Sequence, residues 1–211
     1  MKKAIFFDLD GTLWDALIPL TVSWNETMKK YNKKYYFSFE KMKTFMGLTP
    51  VETAPLAFED LPIKEGLKLF NLCVDGEIKY LALHPGKMYP NEEEVLKELS
   101  KKYDLYIISN CEKGYIENYL NSLKMNQYFK GHLCVGDNGF AKWKNIDFLK
   151  KQEGIDIVIY VGDTLKDKTE SEKAGVKFIH AAYGFGTIKD DKNYINSISE
   201  LPNIIEKIFK E

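Results

Sequence analysis

The sequence predicts an α/β protein, a doubly wound parallel sheet with an all-helical cap inserted near its start. Three observations predict it. From about residue 86 onward, short apolar runs alternate with helical patterns, the rhythm of a parallel sheet covered on both faces. One apolar run, Ala4 to Phe7, stands alone at the beginning of the chain. Between that run and the later rhythm, over 15–84, no strand pattern is found, only helical ones.

The elements follow in order. After the opening strand, 15–32 reads as a helix with Pro19 in its first turn, where proline is tolerated. A second helix starts at Ser38. Thr49-Pro50-Val51-Glu52 then joins a cap residue, a proline at the first helical position and a glutamate three after the cap. A further helix covers 63–83. In the second part, Asn91 is the expected cap and Glu94 the capping-box partner of a helix reaching residue 102. Strands are expected at 104–109, 132–135, 156–161 and 176–180. Helices are expected at 113–124, 145–152, 168–174 and 199–210. The expected organisation is a core of 1–14 plus 86–211 carrying a helical cap at 15–85.

Composition bounds the function. The chain has 211 residues, enough for one buried core and a smaller accessory unit. Its formal net charge of −1 supplies no field to recruit nucleic acid or an anionic membrane. All thirty basic residues are lysines, so bidentate phosphate clamping by guanidinium is excluded. Without arginine, a thiol-based phosphatase built on Cys111 is excluded too. Cys73, Cys111 and Cys134 form no metal-ligand spacing and read as free thiols of a cytoplasmic protein. No apolar run approaches the ~20 residues of a membrane span.

The chemistry gathers at strand ends. Ligands of open parallel sheets bind at the carboxyl ends of the strands. Three strands end there in polar residues: Asp8-Leu9-Asp10-Gly11-Thr12, Ser109-Asn110, and Gly162-Asp163-Thr164. Carboxylates brought together this way repel each other unless a cation joins them. Oxygen-only donors suit a hard divalent ion such as Mg²⁺ and its phosphate ligand. Gly184-Phe185-Gly186 and the stretch from Gly136 to Gly139 lack the residues of nucleotide-binding loops. Trp14, Trp24 and the aromatic residues of the helical insertion read as core rather than a substrate cage.

Asp8 to Thr12 after an apolar strand resembles the first motif of the haloacid dehalogenase superfamily. Ser109 is similar to the second motif, and Gly162-Asp163-Thr164-Leu165-Lys166-Asp167 to the fourth. The plan resembles the phosphoglycolate-phosphatase-like branch, with a Rossmann-like core, a helical cap and the first strand central. The resemblance implies a Mg²⁺-dependent phosphatase acting on a small phosphorylated metabolite, as a monomer or homodimer. It implies Asp8 as nucleophile and Asp10 as acid/base. Asp8, Asp163 and the main-chain carbonyl of Asp10 would hold the metal. Gly11, Thr12, Ser109, Asn110 and a lysine would hold the phosphate, with Asp167 in support. The lysine is expected just ahead of the helix near Asn145, as Lys142 or Lys144. Lys142 stands three residues before Asn145-Ile146, as in related members lacking a Lys-Pro pair. The alternatives are a sugar phosphomutase of the same superfamily and a non-catalytic phosphate-binding module.

Overall fold

The computed structural model describes residues 1–189 and 192–210. Six strands form one parallel sheet: β1 (Lys3–Phe7), β4 (Asp104–Ser109), β5 (Gly131–Cys134), β6 (Ile157–Gly162), β7 (Lys177–Ala181) and β8 (Tyr194–Ile195). A separate two-residue pair, β2 (Trp14–Asp15) and β3 (Lys87–Met88), is antiparallel. The sheet order is β5-β4-β1-β6-β7-β8, so β1 lies between β4 and β6, as expected.

Both faces of the sheet are buried, and the pleat of β1 divides its side chains between two cores. Ile5 and Phe7 join one apolar cluster with Ile107, Val161 and Ile205; Ala4 and Phe6 join the other with Tyr160, Ile146 and Leu149. This is why the strand reads as an unbroken apolar run. Helices α5 (Glu92–Leu99), α6 (Tyr115–Ser122) and α10 (Leu201–Lys210) contribute to the first cluster. Helix α8 (Lys142–Gln152) packs in the second, beside α9 (Leu165–Lys173). A short helix, α7 (Val135–Asn138), follows β5.

Between β2 and β3 stand four helices: α1 (Leu17–Lys30), α2 (Phe39–Lys43), α3 (Pro50–Ala57) and α4 (Ile63–Leu81). Their shared core is aromatic. Trp24 meets Phe37 and Phe70 edge-on, with ring centroids 5.2 and 5.6 Å away. At Gly76 of α4 a Cβ would fall 2.2 Å from Oγ1 of Thr27, so glycine lets α4 close onto α1. Among the described residues no helix is long and apolar enough to cross a membrane.

Several boundaries differ from expectation. Asp15 is not in the first helix. It pairs with Lys87 in the β2–β3 ribbon, and α1 begins at Leu17, whose amide donates to the Asp15 carboxylate. Asn91 does not cap α5 with its side chain; its φ is +64°, and Glu92 instead accepts from the Tyr89 amide. That helix ends at Leu99 rather than at 102. Thr49 and Glu52 do meet at the start of α3, where the Glu52 carboxylate accepts from both the amide and the hydroxyl of Thr49.

Candidate active site

Strand ends set the site. Asp8 follows β1 directly and Asp163 follows β6, the neighbouring strand in the sheet, so their carboxylates emerge side by side. Asp167 comes from the first turn of α9, where its Oδ2 accepts from the amide and hydroxyl of Thr164 in a capping box. That bond fixes the side chain and leaves Oδ1 facing inward. Oxygens of Asp8, Asp163 and Asp167 all lie within 4.8 Å of one another.

Lys142 fills the gap. It is 1% exposed, and its Nζ lies 2.7 Å from Oδ1 of Asp8 and 2.5 Å from Oδ1 of Asp167. Burial pulls its ammonium down, but the carboxylates of Asp167 and Asp8 outweigh that and hold it well above the ordinary lysine range. Lys142 is the first residue of α8, not a residue ahead of it. Lys144, one of the two candidates, is exposed and sits over the rings of Trp143 and Phe140.

Burial raises the Asp8 carboxyl to about 6, helped by Asp167 and opposed by Lys142. Asp163 is likewise pushed above the usual carboxylate range, by burial and by the charges of Asp167 and Asp8. Its Oδ2 accepts from the amides of Phe185 and Gly186, at 2.7 and 3.2 Å. Its Oδ1 is buried and finds no hydrogen-bond partner among the described residues. An orphaned carboxylate oxygen beside two further carboxylates is a donor set that fits a hard divalent cation.

Asp10 turns away from this cluster. Its Oδ1 accepts from the Tyr115 hydroxyl at 2.8 Å and the Trp14 indole at 3.1 Å. Loss of solvent raises its carboxyl to about 7, against the Tyr115 hydrogen bond and with help from Asp8. At that value the group can both give and take a proton near neutrality.

Asp8, Asp10, Ser109 and Asn110 share one cavity of about 80 Å³ beneath the inserted helices. Three residues expected at the phosphate, Asn110, Gly11 and Thr12, have partners within the protein. The Asn110 side chain donates to the main-chain carbonyl of Gly47, in the segment between α2 and α3, at 2.8 Å. Its nitrogen thus ties the two parts of the chain together. The amides of Gly11 and Thr12 were expected to hold phosphate, yet they close the turn after β1, donating to Trp14 and Leu9 carbonyls. Thr12 Oγ1 is buried without a partner among the described residues.

Sequence reasoning missed three parts: Tyr115 and Trp14, which hold Asp10, and Glu77 of α4, which lines the same cavity. It also missed the use of Gly184-Phe185-Gly186. A Cβ at Gly184 would fall 2.3 Å from the Gly11 carbonyl oxygen, so only glycine lets this loop approach Asp163. The run of glycines was the available signal. Trp24, Phe45 and Phe70 are buried core residues, as expected, and they also line the cavity.

Known proteins similar to this chain cover most of its length. A phosphoglycolate phosphatase of Pseudomonas fluorescens is 23% identical over 205 residues, covering 88% of this chain and 71% of that protein. A phosphoglycolate phosphatase of Aquifex aeolicus is 24% identical over 192 residues, covering 87% and 86%. Among solved structures, a predicted phosphoglycolate phosphatase from Haemophilus somnus superposes with a TM-score of 0.81 at 20% identity, covering 97% of this chain and 98% of that one. The model of the haloacid dehalogenase-like hydrolase family matches residues 5–181, and the chain belongs to that family.

Proposed function

We propose that this chain is a phosphoric monoester hydrolase that works through an aspartyl-phosphate on Asp8. The observation that carries this reading is the contact of Lys142 with both Asp8 and Asp167 beside the orphaned oxygen of Asp163. A lysine held there keeps Asp8 ionised although burial favours its neutral form, and an ionised carboxylate is the nucleophile. The named activity of the relatives supports the same reaction class.

The roles divide by position. Asp8 attacks phosphorus and the ester oxygen leaves. Asp10, with its carboxyl raised to about 7, gives that oxygen its proton and later takes one from the water that cleaves the acyl phosphate. Tyr115 and Trp14 hold Asp10 in place for both transfers. Ser109 and Lys142 face the phosphoryl oxygens, where transition-state charge resides. Side chains of Asp8 and Asp163 and the main-chain carbonyl of Asp10 would hold Mg²⁺. When bound, that ion neutralises charge on the phosphoryl oxygens. Asp167 positions Lys142 rather than touching the substrate.

Residues 15–85 act as a lid over the core formed by 1–14 and 86–211, joined to it by the β2–β3 ribbon. They exclude water and choose among small phosphorylated metabolites. The three free cysteines favour a reducing, cytoplasmic setting.

The test is hydrolysis of p-nitrophenyl phosphate with Mg²⁺, by wild type and Asp8→Asn, with trapping of phosphorylated enzyme. Turnover that survives Asp8→Asn would rule out covalent catalysis at this position. A wild-type chain that binds phosphate but turns over no ester would return the site to a binding module.

A further inference from the structure

Beyond Asp8 and Asp10, the lining of the cavity is unusual in its charge. It contains Glu77 and Glu112 but no lysine or histidine, and the chain has no arginine. Glu77 is 7% exposed, on the face of α4 that also carries Phe70. The hydrogen bond to its carboxylate comes from the indole of Trp24, 2.6 Å from Oε2. No salt bridge reaches Glu77 from the described residues, and its charged neighbours are Asp10 and Glu112, of the same sign. Burying an unpaired carboxyl is costly. As an acceptor for Trp24 alone, a glutamine would serve without that cost. Glu77 lines the cavity, together with Trp24, Phe45 and Phe70.

We propose that Glu77, Trp24, Phe45 and Phe70 form a subsite for an alkylammonium group, so that the substrates of this phosphatase are small aminoalkyl phosphates. The inference rests on the phosphatase reading above and names the substrate class of that site. Aromatic faces attract a cation, and a buried carboxylate beside them supplies the matching charge. Burial, with the charges of Asp10 and Glu112, raises the Glu77 carboxyl to about 8, against the Trp24 hydrogen bond. A bound ammonium relieves that repulsion and restores the carboxylate. A carboxylate substituent would meet the opposite fate. Phosphoglycolate would bring a second anion to a wall that offers it no cation.

The experiment compares kcat/KM with Mg²⁺ for O-phosphoethanolamine and phosphocholine, each against its neutral carbon isostere, and for phosphoglycolate. At least one ammonium ester should exceed its isostere by about tenfold or more, and phosphoglycolate should be the poorest. Glu77→Gln should reduce the ammonium-to-isostere ratio at least about fivefold, mainly through KM, and Glu77→Asp should keep part of it. Circular dichroism checks that each variant is folded; should Glu77→Gln not fold, the wild-type ratio and Glu77→Asp carry the test. Equal rates for ammonium esters and isosteres, a ratio that survives Glu77→Gln, or preference for phosphoglycolate would overturn the subsite and leave the phosphatase reading intact. A wild-type chain inert toward every ester would overturn both.

Discussion

Nζ of Lys142 lies 2.7 Å from Oδ1 of Asp8, a contact between residues 134 apart in sequence. Both groups are buried, so removing either leaves the other's charge without its partner. Lys142→Ala should therefore lower kcat by roughly 10²-fold or more. It should also cost on the order of 3 kcal/mol of stability, because Asp8 and Asp167 are left facing each other unpaired. Lys144→Ala, at an exposed position, should change either by little. Turnover at saturating Mg²⁺ and thermal melts of both variants check the ranking. The reverse order would transfer the role to Lys144.

The two aspartates of the first motif should separate on leaving-group quality. Asp8→Asn removes the nucleophile and should abolish turnover of every ester. Asp10→Asn removes the proton donor while Tyr115 and Trp14 keep a hydrogen-bonding partner there. It should lose roughly 10²-fold or more on alkyl phosphates and less on aryl phosphates, whose leaving oxygen needs little protonation. Equal losses on both ester types would deny Asp10 that role.

Metal should be visible without catalysis. Lys142 pairs with Asp8 and Asp167, while Asp163 meets the charge of both without an ion-pair partner among the described residues. Added Mg²⁺ should raise Tm by several degrees at concentrations far above its Kd. Asp163→Asn should remove most of that rise. An unchanged melting curve on addition or chelation of Mg²⁺ would speak against this cluster as the metal site.

Glu92 should give the fold a pH signature remote from that cluster. Burial lifts its carboxyl from the ordinary 4.5 to about 8, although the Tyr119 hydroxyl and Tyr89 amide both donate to it. The folded state therefore holds a proton that the unfolded state releases. Its stabilising effect is full below about 4.5 and is lost as pH rises through about 8. Glu92→Gln cannot ionise. Its stability relative to wild type should climb between those limits, by on the order of a few kcal/mol. Urea melts of both proteins at pH 5, 7 and 9 would measure it; a difference independent of pH would refute the assignment.

Asn110 should act through position rather than chemistry. Its side chain holds the Gly47 carbonyl, so Asn110→Ala unties the helical segment from the end of β4. KM for metabolite esters should rise several-fold while single-turnover phosphorylation at saturation changes less. A pure loss of kcat would place Asn110 on the phosphoryl group instead.

Much of this arrangement was legible before any coordinates. Asp8, Ser109 and Asp163 each end an apolar run, and a buried parallel strand announces itself by such a run. The ribbon of Trp14–Asp15 and Lys87–Met88 was not legible, nor was β8, because two residues carry no periodicity. Partners of Asp10 were hidden for another reason. Tyr115 is 105 residues away, and its approach depends on where α6 docks, not on any local pattern. Asn91 had the right identity for a cap, but its left-handed backbone turns the side chain towards Ser199. Gly184-Phe185-Gly186 reads in the sequence only as lacking a nucleotide loop's residues, and nothing local shows that the amides of Phe185 and Gly186 serve the Asp163 carboxylate.

The antiparallel pairing of Trp14 with Met88 and of Asp15 with Lys87 brings the chain's exit from the sheet region and its return to one doorway. Whatever is threaded through that doorway is invisible to the register of β1 with β4 and β6. Loop closure has already been achieved by the ribbon, so lengthening or exchanging the insert adds little entropic penalty to folding of the sheet. Exchange of the helices can thus alter the cavity wall they supply and leave the register of the sheet unchanged.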